Sequence, residues 1–344
     1  MQHPPLKWLV LLCLAVACPA QSLSPEMQSR LRSGEAALAA GDFARAAQDF
    51  EPVRRGAPEN LPATRGLVLS YLQLGRLPQA ISLGSEAVQH WPQDAPLRHW
   101  LGLAYFKSGQ NAPAAEELRR AANLAPSAPE LHFDLALALL SQQKYPEAAD
   151  ALAKSIKLQP GNALAHVLLG RAYQNSNRTV QAIEQFQAAL RLDPKLRLGH
   201  YHLGYAYGSL GRNGEAIAEY KKEVARVPDD PEVLYQLGHS LLETGQLEEA
   251  IRHLRRASEL NPRNADVFYD LGKALLLQGD AQAAIPALRR SIDLNPQDPS
   301  PHFQLARALD KTGKPVQASE ERERFAELKK SQQQTGGMAT GRVH

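Results

Sequence analysis

Cysteine is nearly missing: the 344-residue chain has two, Cys13 and Cys18, both within its first twenty residues. Once such a leader is removed no thiol remains, which excludes disulfides, Cys-containing metal sites and a cysteine nucleophile. Packing alone must hold the fold. An excess of one charge is missing too. The formal net charge is +3, and removing residues 1–20 takes away Lys7 and no acid, leaving 38 basic against 36 acidic residues. Both signs mix along the whole chain, so no stripe tracks a phosphate backbone and no nucleic-acid partner is expected. No apolar run reaches the roughly 20 residues a membrane-spanning helix needs. GxSxG, HExxH, P-loop and dinucleotide fingerprints are all absent, so neither an enzyme nor a cofactor is expected.

The first twenty residues are of a separate kind. Lys7 precedes WLVLLCLAVA, Trp8 to Ala17, and small residues follow at Ala15, Ala17 and Ala20. This pattern predicts a signal peptide over 1–20, cleaved after Ala20 or, as the alternative, after Ala17, with a short linker at 21–26. LAVAC also resembles a bacterial lipoprotein box, although Ala15 stands where leucine is usual, so a lipid anchor at Cys18 is a third outcome. The expectation is an exported protein of the periplasm or cell envelope, or a secreted one. Ala-rich, cysteine-free composition points to a bacterium.

Proline then recurs at 58, 92, 126, 160, 194, 228, 262 and 296, each 34 residues after the last. The period divides the chain into 27–60, 61–94, 95–128, 129–162, 163–196, 197–230, 231–264, 265–298 and a degenerate ninth, 299–330. Read in columns, position 7 is Leu from 67 to 305 and position 20 is Ala in every repeat from Ala46 to Ala318. Position 8 is Gly or Ala from 102 onward, and position 24 is large and apolar except at Gly84 and Arg322. Small residues at 8 and 20 let two helices approach closely, and large ones at 7, 11 and 24 fill the space beside them. Gly or Asn at position 15, with Gln143 the one departure, accepts the left-handed conformation that ends a helix.

A 34-residue helix-turn-helix with these columns resembles the tetratricopeptide repeat over about 300 residues. The resemblance implies an all-α, right-handed α-solenoid superhelix of about nine repeats. One hairpin cannot bury its apolar face alone, so the repeats must stack. The ends read as caps: Ser33 and Ala37 stand where Leu and Tyr are usual in the first repeat, and the charged Arg322 replaces an apolar residue in the ninth. Residues 331–344 have no apolar period and are expected to be disordered. Pro286, inside a second helix, predicts a kink or a weakened turn. Gly84 predicts the loosest inner hairpin.

In this family the first helices line a concave groove. By that resemblance the groove would present Arg171, Tyr201, Tyr205, Tyr235, His239, Tyr269, Lys273, Phe303 and Arg307, an aromatic row beside a cationic one. The combination suits an extended protein or peptide ligand with acidic or aromatic side chains. The alternative is ordinary repeat composition. Leu69, Leu72, Leu103, Phe106, Leu137 and Leu140 make the other half apolar, where a hydrophobic partner segment is expected to fit. The lysine and asparagine set with which the family grips chaperone tails is not present in any three successive repeats. His132, His166 and His200 share position 4, but helices 8–10 Å apart cannot bring them onto one zinc ion, and packing histidines are expected. The reading is a non-catalytic scaffold or adaptor. Its alternatives are a glycan-handling accessory subunit, with sugars stacked on the aromatic row, and a self-assembling structural protein.

Overall fold

The computed structural model describes residues 23–339; the leader, its cleavage positions and Cys18 lie outside the described residues. Among the described residues there are eighteen α-helices and no strand. The first helices of the nine repeats are α1 (Pro25–Ala39), α3 (Leu61–Gln73), α5 (Ala95–Lys107), α7 (Pro129–Ser141), α9 (Ala163–Gln174), α11 (Gly199–Ser209), α13 (Pro231–Glu243), α15 (Ala265–Gln278) and α17 (Pro299–Lys311). The second helices are α2 (Phe43–Gly56), α4 (Leu77–His90), α6 (Asn111–Leu124), α8 (Tyr145–Leu158), α10 (Thr179–Leu192), α12 (Asn213–Arg226), α14 (Leu247–Leu260), α16 (Ala281–Leu294) and α18 (Pro315–Ala339). The chain forms two compact stacks, the first ending at Ser176 and the second starting at Asn177. No described helix is long and apolar enough to cross a membrane.

The columns explain the hairpins. Every position-20 alanine from Ala46 to Ala318 is fully buried. A Cβ placed on Gly34, Gly102 or Gly238, all at position 8, would lie 2.7 Å from the position-24 side chain of its own repeat, Phe50, Leu118 or Leu254. Those three side chains are themselves fully buried. The absent methyl is therefore what lets the two helices touch. Position 15 makes the turn. In the second repeat the Gly75 N–H donates to the Leu72 carbonyl and the Arg76 N–H to that of Tyr71. Gln143 adopts the same left-handed φ, +58°, and closes the same two bonds, so the sequence departs there while the backbone does not.

Helix starts carry a column of caps at position 34. Asn60, Asp94, Asn162 and Asp230 each accept a hydrogen bond from the backbone N–H three residues on, which satisfies a donor the helix leaves free. Leu196 cannot do this. Helix α11 accordingly begins late, behind Leu198 in left-handed backbone at φ +59°. The fully buried carboxylate of Glu223 on α12 accepts instead from the N–H groups of Leu198, at 3.1 Å, and His200, at 3.2 Å.

One expectation changes, and two gain detail. The space that Gly84 leaves is filled: Leu101 of the next repeat lies 3.2 Å from where its Cβ would be, and the buried Val68 stands at position 8 where other repeats have Gly or Ala. Small and large have exchanged places and Leu101 closes the space from the next repeat, while α3 and α4 approach each other over fewer residues than the helices of the neighbouring hairpins, as expected. Helix α16 runs through Pro286 from Ala281 to Leu294, and the ring removes one internal hydrogen bond without ending the helix. The stretch expected to be disordered is helical as far as Ala339, because no following repeat imposes a turn on α18 and its Lys and Gln residues favour helix. Residues 340–344 lie outside the described residues.

Candidate functional site

Within each stack the first helices of successive hairpins approach one another to within 8 Å between Cα atoms, as α1, α3, α5 and α7 do in one and α11, α13, α15 and α17 in the other. No pair of second helices approaches comparably among the described residues. The first helices thus form the inner side of each stack, and positions 5 and 9 stand on it.

The second stack brings eight of the expected residues onto that side in pairs: Tyr201 and Tyr205 on α11, Tyr235 and His239 on α13, Tyr269 and Lys273 on α15, Phe303 and Arg307 on α17. A four-residue step puts each pair on one helix face. The Tyr201 and Tyr205 rings lie 6.3 Å apart, those of Tyr235 and His239 6.1 Å apart, and the Arg307 guanidinium is 6.0 Å from the centre of Phe303. Tyr205 and Phe303 remain 43% and 44% exposed, and Tyr201, Tyr235 and Tyr269 are half-buried. Arg171, on α9, is an exposed residue of the first stack, and the row described here is confined to the second.

Two of the cations, Lys273 and His239, are not free for an acidic ligand. Lys273 Nζ donates to Glu243 at 2.9 Å, and His239 Nδ1 lies 2.8 Å from the carboxylate of Asp270, which is 4% exposed. The hydrogen bond to Asp270 raises the pKa of His239 against the opposing effect of burial. Burial works most strongly against the charge of Lys273, but the bond to Glu243 and the negative charges around it, that of Glu243 first, together outweigh it and hold its pKa above the lysine norm. Glu243 is held low by the same bond. Across the whole of α11, α13 and α15 four carboxylates, Glu232, Glu243, Asp266 and Asp270, stand against one lysine.

Those carboxylates act on the tyrosines. The Tyr201 hydroxyl donates to Glu232 of the next repeat at 3.4 Å. Burial, and then Glu232, push the Tyr201 phenol well above its usual range. Burial, then Asp270, Asp266 and Glu232, do the same to Tyr235. The sequence reading follows positions 5 and 9 and misses these acids. Their signal is a carboxylate at position 2 one repeat later, 31 residues after the tyrosine, at 201 and 232 and again at 235 and 266.

The first stack is different. Leu69 and Leu72 are buried, and Leu103, Phe106, Leu137 and Leu140 pack against the clusters that hold its hairpins together. The apolar half expected to take a hydrophobic partner is therefore largely lining of the core. The position-4 histidines also separate. His132 Nε2 lies 2.9 Å from the Pro126 carbonyl and His166 Nε2 3.3 Å from that of Pro160, while His200 Nδ1 lies 2.6 Å from Glu219. No group of three side chains that could hold a metal exists among the described residues. An apolar recess of about 270 Å³ between Phe268, Leu271, Leu275 and Pro286 is shallow and carries no converging polar groups beyond Arg255 at its rim.

A family model described as tetratricopeptide repeat matches residues 31–95, 101–163, 167–231 and 235–299, and a second of the same description matches 275–324. Among solved structures, the hetero-tetramer Cut9-Hcn1 of the APC/C is similar at 18% identity with a TM-score of 0.50, over 81% of this chain and 56% of that one. YrrB, described as a protein "with an unusual peptide-binding site", is similar at 24% identity with a TM-score of 0.49, over 54% of this chain and 96% of its own. MamA is similar at 25% identity with a TM-score of 0.46, over 48% and 97%. A search among curated proteins gives no match.

Proposed function

Because the chain belongs to the tetratricopeptide repeat family, we propose that it is a non-catalytic scaffold whose second stack captures an extended segment of a partner protein on the inner side of α11, α13, α15 and α17. The row of half-exposed aromatic rings, one per repeat from Tyr201 to Phe303, carries this reading. Packed helices stand about 8–10 Å apart and an extended chain advances about 3.3 Å per residue, so every third side chain of a bound segment meets the next ring. Exported localisation in a cell envelope is part of the proposal and rests on the apolar leader at residues 8–17. Mass spectrometry of the mature N-terminus distinguishes a chain starting at Gln21 from one lipidated at Cys18.

The capture reading is tested by incubating the full chain and its Tyr205→Ala, Phe303→Ala variant with extract of the source cell. A protein retained by the first and released by the second supports it, provided both melt at similar temperatures. Equal retention by both, with the fold intact, rejects this face as the capture surface.

A further inference from the structure

Granting that the second stack captures a peptide, we infer that the segment is basic, with two Lys or Arg side chains about three residues apart seated at Tyr201 with Glu232 and at Tyr235 with Asp266. Three observations converge. Each tyrosine stands half-buried on the inner side, Tyr201 beside the ring of Tyr205 and Tyr235 beside that of His239, and an aromatic ring attracts a cation within about 6 Å. The Tyr201 hydroxyl donates to the position-2 carboxylate of the following repeat, Glu232, at 3.4 Å, and Tyr235 has the carboxylate of Asp266 at the equivalent position 31 residues on. The two local cations, His239 and Lys273, are already bonded to Asp270 and Glu243, which leaves Glu232 and Asp266 as the exposed anionic groups without an internal cation.

Glu232 is bonded by neutral donors, the Tyr201 hydroxyl and the Gln236 side chain, which leave its charge in place. No ion pair is formed by Asp266. The arrangement repeats with the 34-residue period, so two equivalent seats lie one helix apart. That separation of about 8–10 Å, divided by the extended rise, gives the spacing of three residues between the cations. An acidic segment would meet the two carboxylates left without an internal cation, Glu232 on α13 and Asp266 on α15, and no unpaired lysine there, and like charges brought together suppress binding. The cationic end of the row, Arg307 and Lys311 on α17, lies beyond the two seats and suits the acidic or carboxyl-terminal part of the same segment.

The test is a titration of the full chain with three sets of extended peptides of equal aromatic content: basic with Arg at i and i+3, acidic with Glu at those places, and neutral with Gln. The expected order is basic over neutral over acidic, with binding of the basic set weakening as salt rises. Glu232→Gln together with Asp266→Asn should lower affinity for the basic set by about tenfold or more, leave the neutral set unchanged, and leave the melting temperature unchanged because both side chains are exposed. Moving the second Arg from i+3 to i+1 should weaken binding as well. Tighter binding of the acidic or neutral set, or basic binding indifferent to the double variant, overturns the basic assignment. If the neutral set binds and Tyr205→Ala, Phe303→Ala abolishes it, capture stands and only the basic assignment fails. Binding of no set overturns both.

Discussion

The inner helices of the first stack carry Leu69, Leu72, Leu103, Phe106, Leu137 and Leu140, the first two buried and the rest half-buried, whereas those of the second carry Tyr201, Tyr205, Tyr235 and Phe303 with carboxylates between them. The hairpins beneath are the same. Leu152 in one and Leu254 in the other are both fully buried at position 24, beside a small residue at position 8 and an alanine at position 20. Architecture is thus set by a few columns, and the remaining inner positions are free to differ without touching the fold. The same holds for ion pairs. Both stacks contain a His–Asp bridge between neighbouring first helices, His99 with Asp134 and His239 with Asp270, but only in the second does it adjoin an exposed aromatic row.

The sharpest way to break this division is Gly238→Arg. The first carbon of the new side chain already lies 2.7 Å from Leu254, so it should cost about 3 kcal/mol or more in urea unfolding. Tyr205→Ala, on the inner side of the preceding first helix α11, should cost under about 1 kcal/mol because its ring is nearly half exposed. Equal losses in the two variants would dissolve the distinction between inner surface and core.

The next step compares cores directly. Leu152→Ala and Leu254→Ala should each destabilise by about 2–5 kcal/mol, since each leaves a cavity in an equally closed site. Denaturant midpoints that fell for one and held for the other would mean that the two stacks are not built alike.

A smaller effect depends on pH. His239 has its pKa raised in the folded chain by Asp270, so the stabilisation is complete below the unfolded value of about 6.5 and is lost as pH rises through the folded value. The imidazole is 45% exposed, and solvent screening keeps the gain to a fraction of a kcal/mol. Subtracting the stability profile of His239→Gln from that of the natural chain should give a step that falls toward alkaline pH; a flat difference would show that the bridge carries no charge linkage.

The smallest effect is expected at Leu198. Its left-handed backbone is uncomfortable for a branched L side chain, so Leu198→Gly should be neutral or stabilising by up to about 1 kcal/mol. The same change at Leu203, within α11 and buried, should be plainly destabilising. A clear loss of thermal stability in Leu198→Gly would mean that its half-buried side chain matters more than its backbone.

The period of 34, the Ala at position 20, the small residue at position 8 and the turn at position 15 determine the eighteen helices and their pairing, and all are legible in the chain because each is a local or within-hairpin requirement repeated nine times. Even Gln143 could not disturb a turn that its neighbours on both sides impose. What sequence alone could not decide depends on side-chain contacts between helices, most of them across repeats. That Leu101 closes the gap at Gly84, that Glu223 caps a helix whose own cap is missing, and that Asp270 and Glu243 neutralise the apparent cationic row all join residues 17 to 31 positions apart in the chain, on different helices. A column of side chains shows what each repeat contributes. Only the stacked helices show which of those side chains remain for a partner, because charge and surface are cancelled by neighbours in space rather than by neighbours in sequence.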